Sequence, residues 1–403
     1  MSRLAKRPRD QRLDLFRGLT MLIIFIAHVP DNPWMFWIPA RFGFSSGTEL
    51  FVFCSGVASA LAFGSVFETR GLALGTARIA FRCWQVYWAH MGLFMASVAL
   101  AAGIDRLTGT TEALATQFGP LLTDPAGAML GVATLGWLPP YLDILPMYLV
   151  ILVLIPVMMA LRRLHAVLPF VLVAVLYLAA WLGGLQLQGE PWQQFAWFLN
   201  PFGWQLVFFL GFFFAKGWLP VPPLRRPALV WTAVALLVAC VPVAFWGIHE
   251  QVPAAQSVRA VLLPINEKSD LHILRVLHFL ILAYVVLSLV DPYRMRLDAT
   301  LPGRVLVMIG RQSLGTFMAS LIVARLAGVT LDLVGRSAGP VALVNIAGLA
   351  SVVVAAMIVG WFKSAPWSSP RVARMEGPEP VRPDTRDTAS GQSPRTASDV
   401  TFA

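Results

Sequence analysis

Charge is scarce in this chain: Asp, Glu, Lys and Arg make up only 13% of its 403 residues. Soluble globular domains carry about a quarter, so a soluble body is excluded. Cysteine is scarcer still. Cys54, Cys83 and Cys240 are the only three; each falls in an apolar stretch and no paired spacing links them, which indicates neither a disulfide framework nor a metal site. Also missing are the phosphate-cradling G-x-x-x-x-G-K-[ST] loop, the G-x-S-x-G elbow and the H-E-x-x-H zinc helix. Without a nucleotide-hydrolysis motif, a primary pump is disfavoured. The first long apolar run has no small-residue cleavage site after it, so it reads as a retained span rather than a secretory leader.

Apolar and aromatic residues are abundant: 57% of the chain is hydrophobic, with 26 Phe and 14 Trp. Apolar runs near twenty residues recur, which predicts an all-α polytopic membrane protein. Ten spans are expected, at about 13–30, 48–67, 83–103, 141–161, 166–184, 201–218, 228–247, 271–290, 304–327 and 340–363. The basic arm 1–12 places the N-terminus in the cytoplasm, and ten spans return the C-terminus to the same side. The implied loops carry sixteen Lys and Arg on the cytoplasmic side before the tail, against five outside: Arg41, Arg106, Arg259, Lys268 and Arg336. The same bias accounts for the formal charge of +10, so the expected partner is the bilayer and not nucleic acid. Residues 13–363 form one membrane domain. Residues 364–403, rich in Pro, Ser, Thr, Arg and Asp, cannot bury a core and are expected to be a disordered cytoplasmic tail. The longest outer loop, from about Ile104 to Pro140, either covers the outer mouth or merely connects.

The stretch from Asp14 to Gly56 organises the rest. Arg17 and His28 lie about three helical turns apart, so they share nearly one face of span one, with roughly 16 Å of rise between them. That face carries a cation near one membrane surface and an imidazole well towards the other. Ionisable groups at such depths are expensive and mark function by default. Glu49 opens span two, which runs back, so Glu49 and His28 are expected at similar depth. A carboxylate beside an imidazole fixes its tautomer and raises its basicity, as a general base for a sugar hydroxyl requires. In the plainer reading, Glu49 caps its helix and His28 bonds a carbonyl.

Other polar residues join them. Arg78 and Arg82 share a face before span three; they suit the phosphates of an anionic cofactor, or are ordinary positive-inside flanks. His90 lies two turns further in. Tyr141 and Asp143 open span four on the outer side, and an aromatic ring beside an acid suits carbohydrate. His272, Arg275 and His278 drift around one side of span eight, too polar for lipid and therefore facing a cavity. Arg311, Gln312 and Ser313 make a similar stripe near the cytoplasmic end of span nine.

The segments RLDLFRGLTMLIIFIAHVPDN and FGFSSGTELFVFCSG, with the Leu-Pro-Met-Tyr of span four, resemble membrane acyltransferases of the acyltransferase-3 type. Within that superfamily they are most similar to the OpgC-type branch, which modifies osmoregulated periplasmic glucans. The resemblance implies that acyl-CoA, typically succinyl-CoA in this branch, gives its acyl group from the cytoplasm to a glucan hydroxyl in the periplasm. Acyl-CoA is then a donor substrate, with no bound cofactor. Carried onto this chain, Arg17 is the arginine of the first motif, His28 the catalytic imidazole and Glu49 the acidic position that orients it. Arg12, Arg17, Arg78 and Arg82 are expected to hold the CoA phosphates, although Arg78 and Arg82 are separated by three residues where the superfamily often shows two. Tyr141 and Asp143 are expected at the acceptor. Arg275 and His278 are expected at the oxyanion, Arg275 also being the candidate cation for the free carboxylate of a succinyl donor. Ser46, Ser55 and Cys54 are the side chains available should the acyl group be parked on the protein. Three other readings stay open: an acyltransferase for another envelope glycan, a proton-coupled transporter of an acidic metabolite, and a structural partner of glucan synthesis.

Overall fold

The computed structural model describes residues 10–190, 195–293, 296 and 299–368. The expected basic arm and tail fall almost wholly outside these residues. Eleven longer helices carry the chain, defined as α1 (Gln11–His28), α2 (Gly47–Thr69), α3 (Gly71–Thr108), α4 (Ile144–Leu164), α5 (Leu168–Trp181), α6 (Pro201–Ala215), α7 (Pro227–Ala244), α8 (Ile273–Val290), α9 (Leu301–Arg311), α10 (Ser313–Val334) and α11 (Ala338–Ser364). Short helices fill several of the connections, and one small antiparallel ribbon pairs Gln188–Glu190 with Phe195–Ala196. The protein is all-helical in its membrane body, as expected.

Among the described residues, seven helices are long and apolar enough to cross a membrane: α2, α3, α4, α7, α8 with the turn that follows it, α10 and α11. The shorter α5 and α6 are apolar too. Fifteen residues of α6 span about 22 Å, less than a 30 Å hydrocarbon core. Its Trp204, Phe208, Phe209, Phe212 and Phe213 are buried within the bundle, as befits a helix that is apolar all round. By contrast α3, with 38 residues, is about 57 Å long and overshoots the core.

The helix termini follow from their sequences. Asp10 accepts from the Arg12 amide to cap α1. Ser46 and Glu49 form a reciprocal capping box at α2. Asn200 caps α6 ahead of Pro201. Helix α1 packs against α2, α9, α10 and α11 and is the central post of the bundle. Its backbone meets α9 through Gly18 and Gly310, where a Cβ would overlap the carbonyls of Leu306 and Asp14 respectively. Glycine permits this approach, as small residues do between membrane helices.

The sequence reading of span nine as one segment over 304–327 needs correction. The helix breaks at Gln312 (φ −106°, ψ 21°), so residues 304–311 belong to α9, a separate helix laid along α1. The stretch from Ile104 to Pro140, expected on the outer side, is also not a plain connector. It holds three short helices, and Trp137 to Pro140 form one wall of the cavity described next.

Candidate active site

His28 is the last residue of α1, and its imidazole lines a cavity of about 780 Å³ at that end of the helix. Nδ1 lies 2.7 Å from the Ile24 carbonyl oxygen. A carbonyl only accepts, so Nδ1 carries the proton and the neutral ring keeps its lone pair on Nε2. Nε2 makes no hydrogen bond to a described residue. The Tyr141 ring meets the imidazole edge-on at 5.5 Å, and Arg325 lies over the other ring 5.9 Å from the Tyr141 centroid. Tyr141 has φ 70°, a left-handed conformation that is strained for an aromatic residue and is held only where surroundings impose it.

Asp143 lines the same cavity. Its Oδ2 is buried and has no hydrogen-bond partner among the described residues, and an unmatched buried acceptor calls for a missing donor. Four cations also line the cavity: Arg41, Arg259, Lys268 and Arg275. Arg275 is committed. Its Nε lies 2.8 Å and an Nη 2.6 Å from Oε1 of Glu49, which is fully buried. The other Glu49 oxygen accepts from the Ser46 amide at 2.8 Å and the Ser46 hydroxyl at 2.7 Å.

A second cavity, of about 710 Å³, opens at the Arg17 end of α1. Arg17, Arg82, Arg311 and Lys363 line it with Trp84, Gln85 and Trp88, and no acid is among its described lining residues. Arg17 donates to the Ser313 hydroxyl. Arg311 stands 3.7 Å from Asp14. The two cavities come close along α10, where Phe317 lines the first while Leu314 and Met318 line the second. On α1 they are separated by the six residue steps from Arg17 to Ile23, about 9 Å of rise.

A protein-family model described as OpgC protein matches residues 9–364, nearly the whole described chain. This protein belongs to the OpgC family. No curated protein and no solved structure matches it.

For an OpgC-family chain the sequence picks out one end of each cavity, with several errors of contact. Glu49 does not orient His28: both its oxygens are taken by Ser46 and Arg275, and the His28 bond runs to Ile24. The local bonds of the plainer reading, a helix cap and a carbonyl contact, are therefore both present. They do not remove the imidazole from the cavity, and the carbonyl bond itself fixes the tautomer. His278 is not at the cavity. It is buried behind the loop, its Nδ1 2.8 Å from the Ser45 hydroxyl and its ring against Gly43 and Phe44, so it braces the loop rather than facing a reacting oxygen.

Of the four expected donor cations, Arg17 and Arg82 line the second cavity. Arg12 does not; it is paired with Asp10 at 2.7 Å and Asp291 at 2.8 Å. Neither does Arg78, whose guanidinium covers the Phe63 ring at 5.9 Å. Ser55 bonds the Phe51 carbonyl and Cys54 is buried in α2, both away from the cavities, whereas Ser46 lines the first. His90 is buried and lines neither.

Sequence reasoning missed Lys363 as a cavity cation and did not read Arg41, Arg259 or Lys268 as site residues. A signal existed for the last three. They are three of the five outer cations that the positive-inside rule disfavours, and all three line the first cavity.

Proposed function

We propose that this protein is an inner-membrane O-acyltransferase that moves an acyl group, succinyl, from cytoplasmic acyl-CoA to a hydroxyl of a periplasmic glucan. Ten helices cross the membrane in this reading, with both termini in the cytoplasm. The observation that carries it is the pair of cavities on one helix: a base with a free Nε2 beside an unmatched carboxylate oxygen at one end, and an acid-free cationic cavity at the other.

The second cavity opens to the cytoplasm and receives CoA, its phosphates meeting Arg17, Arg82, Arg311 and Lys363 through charge-assisted hydrogen bonds. The pantetheine arm threads past the Phe317 and Met318 level of α10, carrying the thioester to the first cavity. There the acceptor glucan stacks on Tyr141 and donates a hydroxyl to Asp143. Nε2 of His28 removes the proton from the attacking hydroxyl as its oxygen adds to the thioester carbonyl. The tetrahedral oxyanion collapses, the carbon–sulfur bond breaks, and the imidazolium returns the proton to the thiolate. Arg275, held by Glu49 in the wall of the same cavity, is the guanidinium that stabilises the developing charge. Ester and free CoA are the products.

The test is the charge of periplasmic glucans from cells lacking this protein, complemented with wild type or with His28→Ala. Wild type alone is expected to restore anionic glucans. Identical glucans from all strains would refute the assigned acceptor, and full restoration by His28→Ala would refute the base.

A further inference from the structure

The first cavity holds more positive charge than the chemistry above uses. Arg275 is neutralised by Glu49. Arg41 donates to the Met35 carbonyl and lies over the Phe36 ring, and Arg259 donates to the Val243 carbonyl. Lys268 differs from them. Its ammonium makes no ion pair with a described residue and is held only over the face of Phe198, 5.5 Å from the ring centroid. It is nevertheless close enough for its charge to act on His28, Glu49, Asp143 and Arg275.

The turn that carries Lys268 is built to hold it still. Glu267 Oε1 accepts from the Lys268 amide at 3.0 Å and from the Ser269 amide at 3.2 Å. Trp204, buried in α6, donates its indole N–H to the carbonyls of Lys268 and Ser269, each at 3.1 Å. The Asn200 amide reaches the Ser269 carbonyl at 3.0 Å. The turn then leaves through Leu271 at φ 54°, strained for a branched side chain and kept there by complete burial. A flexible side chain on so fixed a backbone, its ammonium in no ion pair with a described residue at a cavity wall, is suited to receive an anion. Burial pushes this ammonium below its ordinary pKa, with Arg275 adding to the effect and Glu49 and Asp143 opposing it, which an incoming carboxylate would reverse.

We propose that Lys268 binds the free terminal carboxylate of the acyl group, so that the site selects a monoacyl donor of a dicarboxylic acid over a neutral donor of the same length. The role expected of Arg275 passes to Lys268 because Arg275 is already paired. This rests on the acyltransferase reading above. An acidic group on the acceptor glycan is the other source of a carboxylate, and the assay separates the two by using an uncharged glucan.

Protein reconstituted in vesicles is given a neutral linear β-glucan with either succinyl-CoA or butyryl-CoA, and ester formation is followed for wild type, Lys268→Met and Lys268→Arg. In Lys268→Met the ratio of succinyl to butyryl kcat/KM is expected to fall roughly 10- to 100-fold, the scale of one charge-assisted hydrogen bond, with Lys268→Arg retaining most of it. Because the readout is a ratio within one preparation, a loss of folded protein does not move it. A Lys268→Met ratio equal to that of wild type overturns the proposal, whatever the absolute rates. Failure of wild type to form ester from either donor is a different result, and it refutes the acyltransferase reading itself.

Discussion

The two ends of α1 open into cavities of similar size, about 780 and 710 Å³, that hold their charge in different ways. Around His28 the polar groups are tied into a fixed frame. Glu49 caps α2 and clamps Arg275, Ser45 is bonded to His278, and a rigid turn presents Lys268. Around Arg17 the cations Arg17, Arg82, Arg311 and Lys363 share the cavity wall with Trp84 and Trp88, and Asp14 stands 3.7 Å from Arg311. A fixed frame suits bond making, where small displacements are costly in rate. A mouth lined by three arginines and a lysine with no acid among its described lining residues suits capture of a polyanion, where charge matters more than position. In the proposed mechanism the same helix presents chemistry at one end and delivery at the other.

The largest effect that breaks the comparison is at His28. His28→Gln should lower the rate of ester formation by about 10³-fold, within the range for loss of a general base, while binding of CoA at the other cavity is kept; equal loss of both would mean the ends are not separate devices. Glu49 comes next. Glu49→Ala strands the Arg275 guanidinium and should cost about 3–5 kcal/mol of stability, read as an earlier thermal transition in detergent. Inactivity with an unchanged transition would instead return Glu49 to a direct role in the chemistry. On the delivery side, Arg311→Gln and Lys363→Gln should each raise KM for acyl-CoA roughly 10-fold with kcat little altered, the scale of a single charge-assisted hydrogen bond. Arg12→Gln should move KM less, because Arg12 is already bound to Asp10 and Asp291. The smallest effect concerns pH. Lys268 is charged below its folded-state pKa and neutral above it, and burial lowers that value. With Glu49, Asp143, His28 and Arg275 facing it, KM for an anionic donor should rise on the alkaline side at a lower pH than an exposed lysine would give. Lys268→Arg should flatten that limb.

Local features were legible in the sequence because local physics writes them. The shared face of Arg17 and His28 follows from helical period, and each end of that face opens into a cavity. The Ser46 and Glu49 cap of α2 follows from spacing alone. Depth matching between His28 and Glu49 failed because equal depth is not contact: the partner that takes Glu49 is Arg275, 226 residues away. The break at Gln312 was hidden inside an apolar run whose residues suit either a long span or two helices. Arg311 and Ser313 were marked as facing inward, yet their meeting with Asp14 and Arg17 depends on how α9 and α10 fold back onto α1. Lys268 was counted only as an exception to the positive-inside rule, and such exceptions repay attention when they gather at one cavity.

The most direct measurement is the mass of a neutral β-glucan incubated with acyl-CoA and the reconstituted protein, wild type beside His28→Gln. The account predicts one acyl increment per ester in the wild-type reaction, matched by free CoA, and unmodified glucan with His28→Gln. Unmodified glucan in both reactions, or equal acylation by the two proteins, would contradict it.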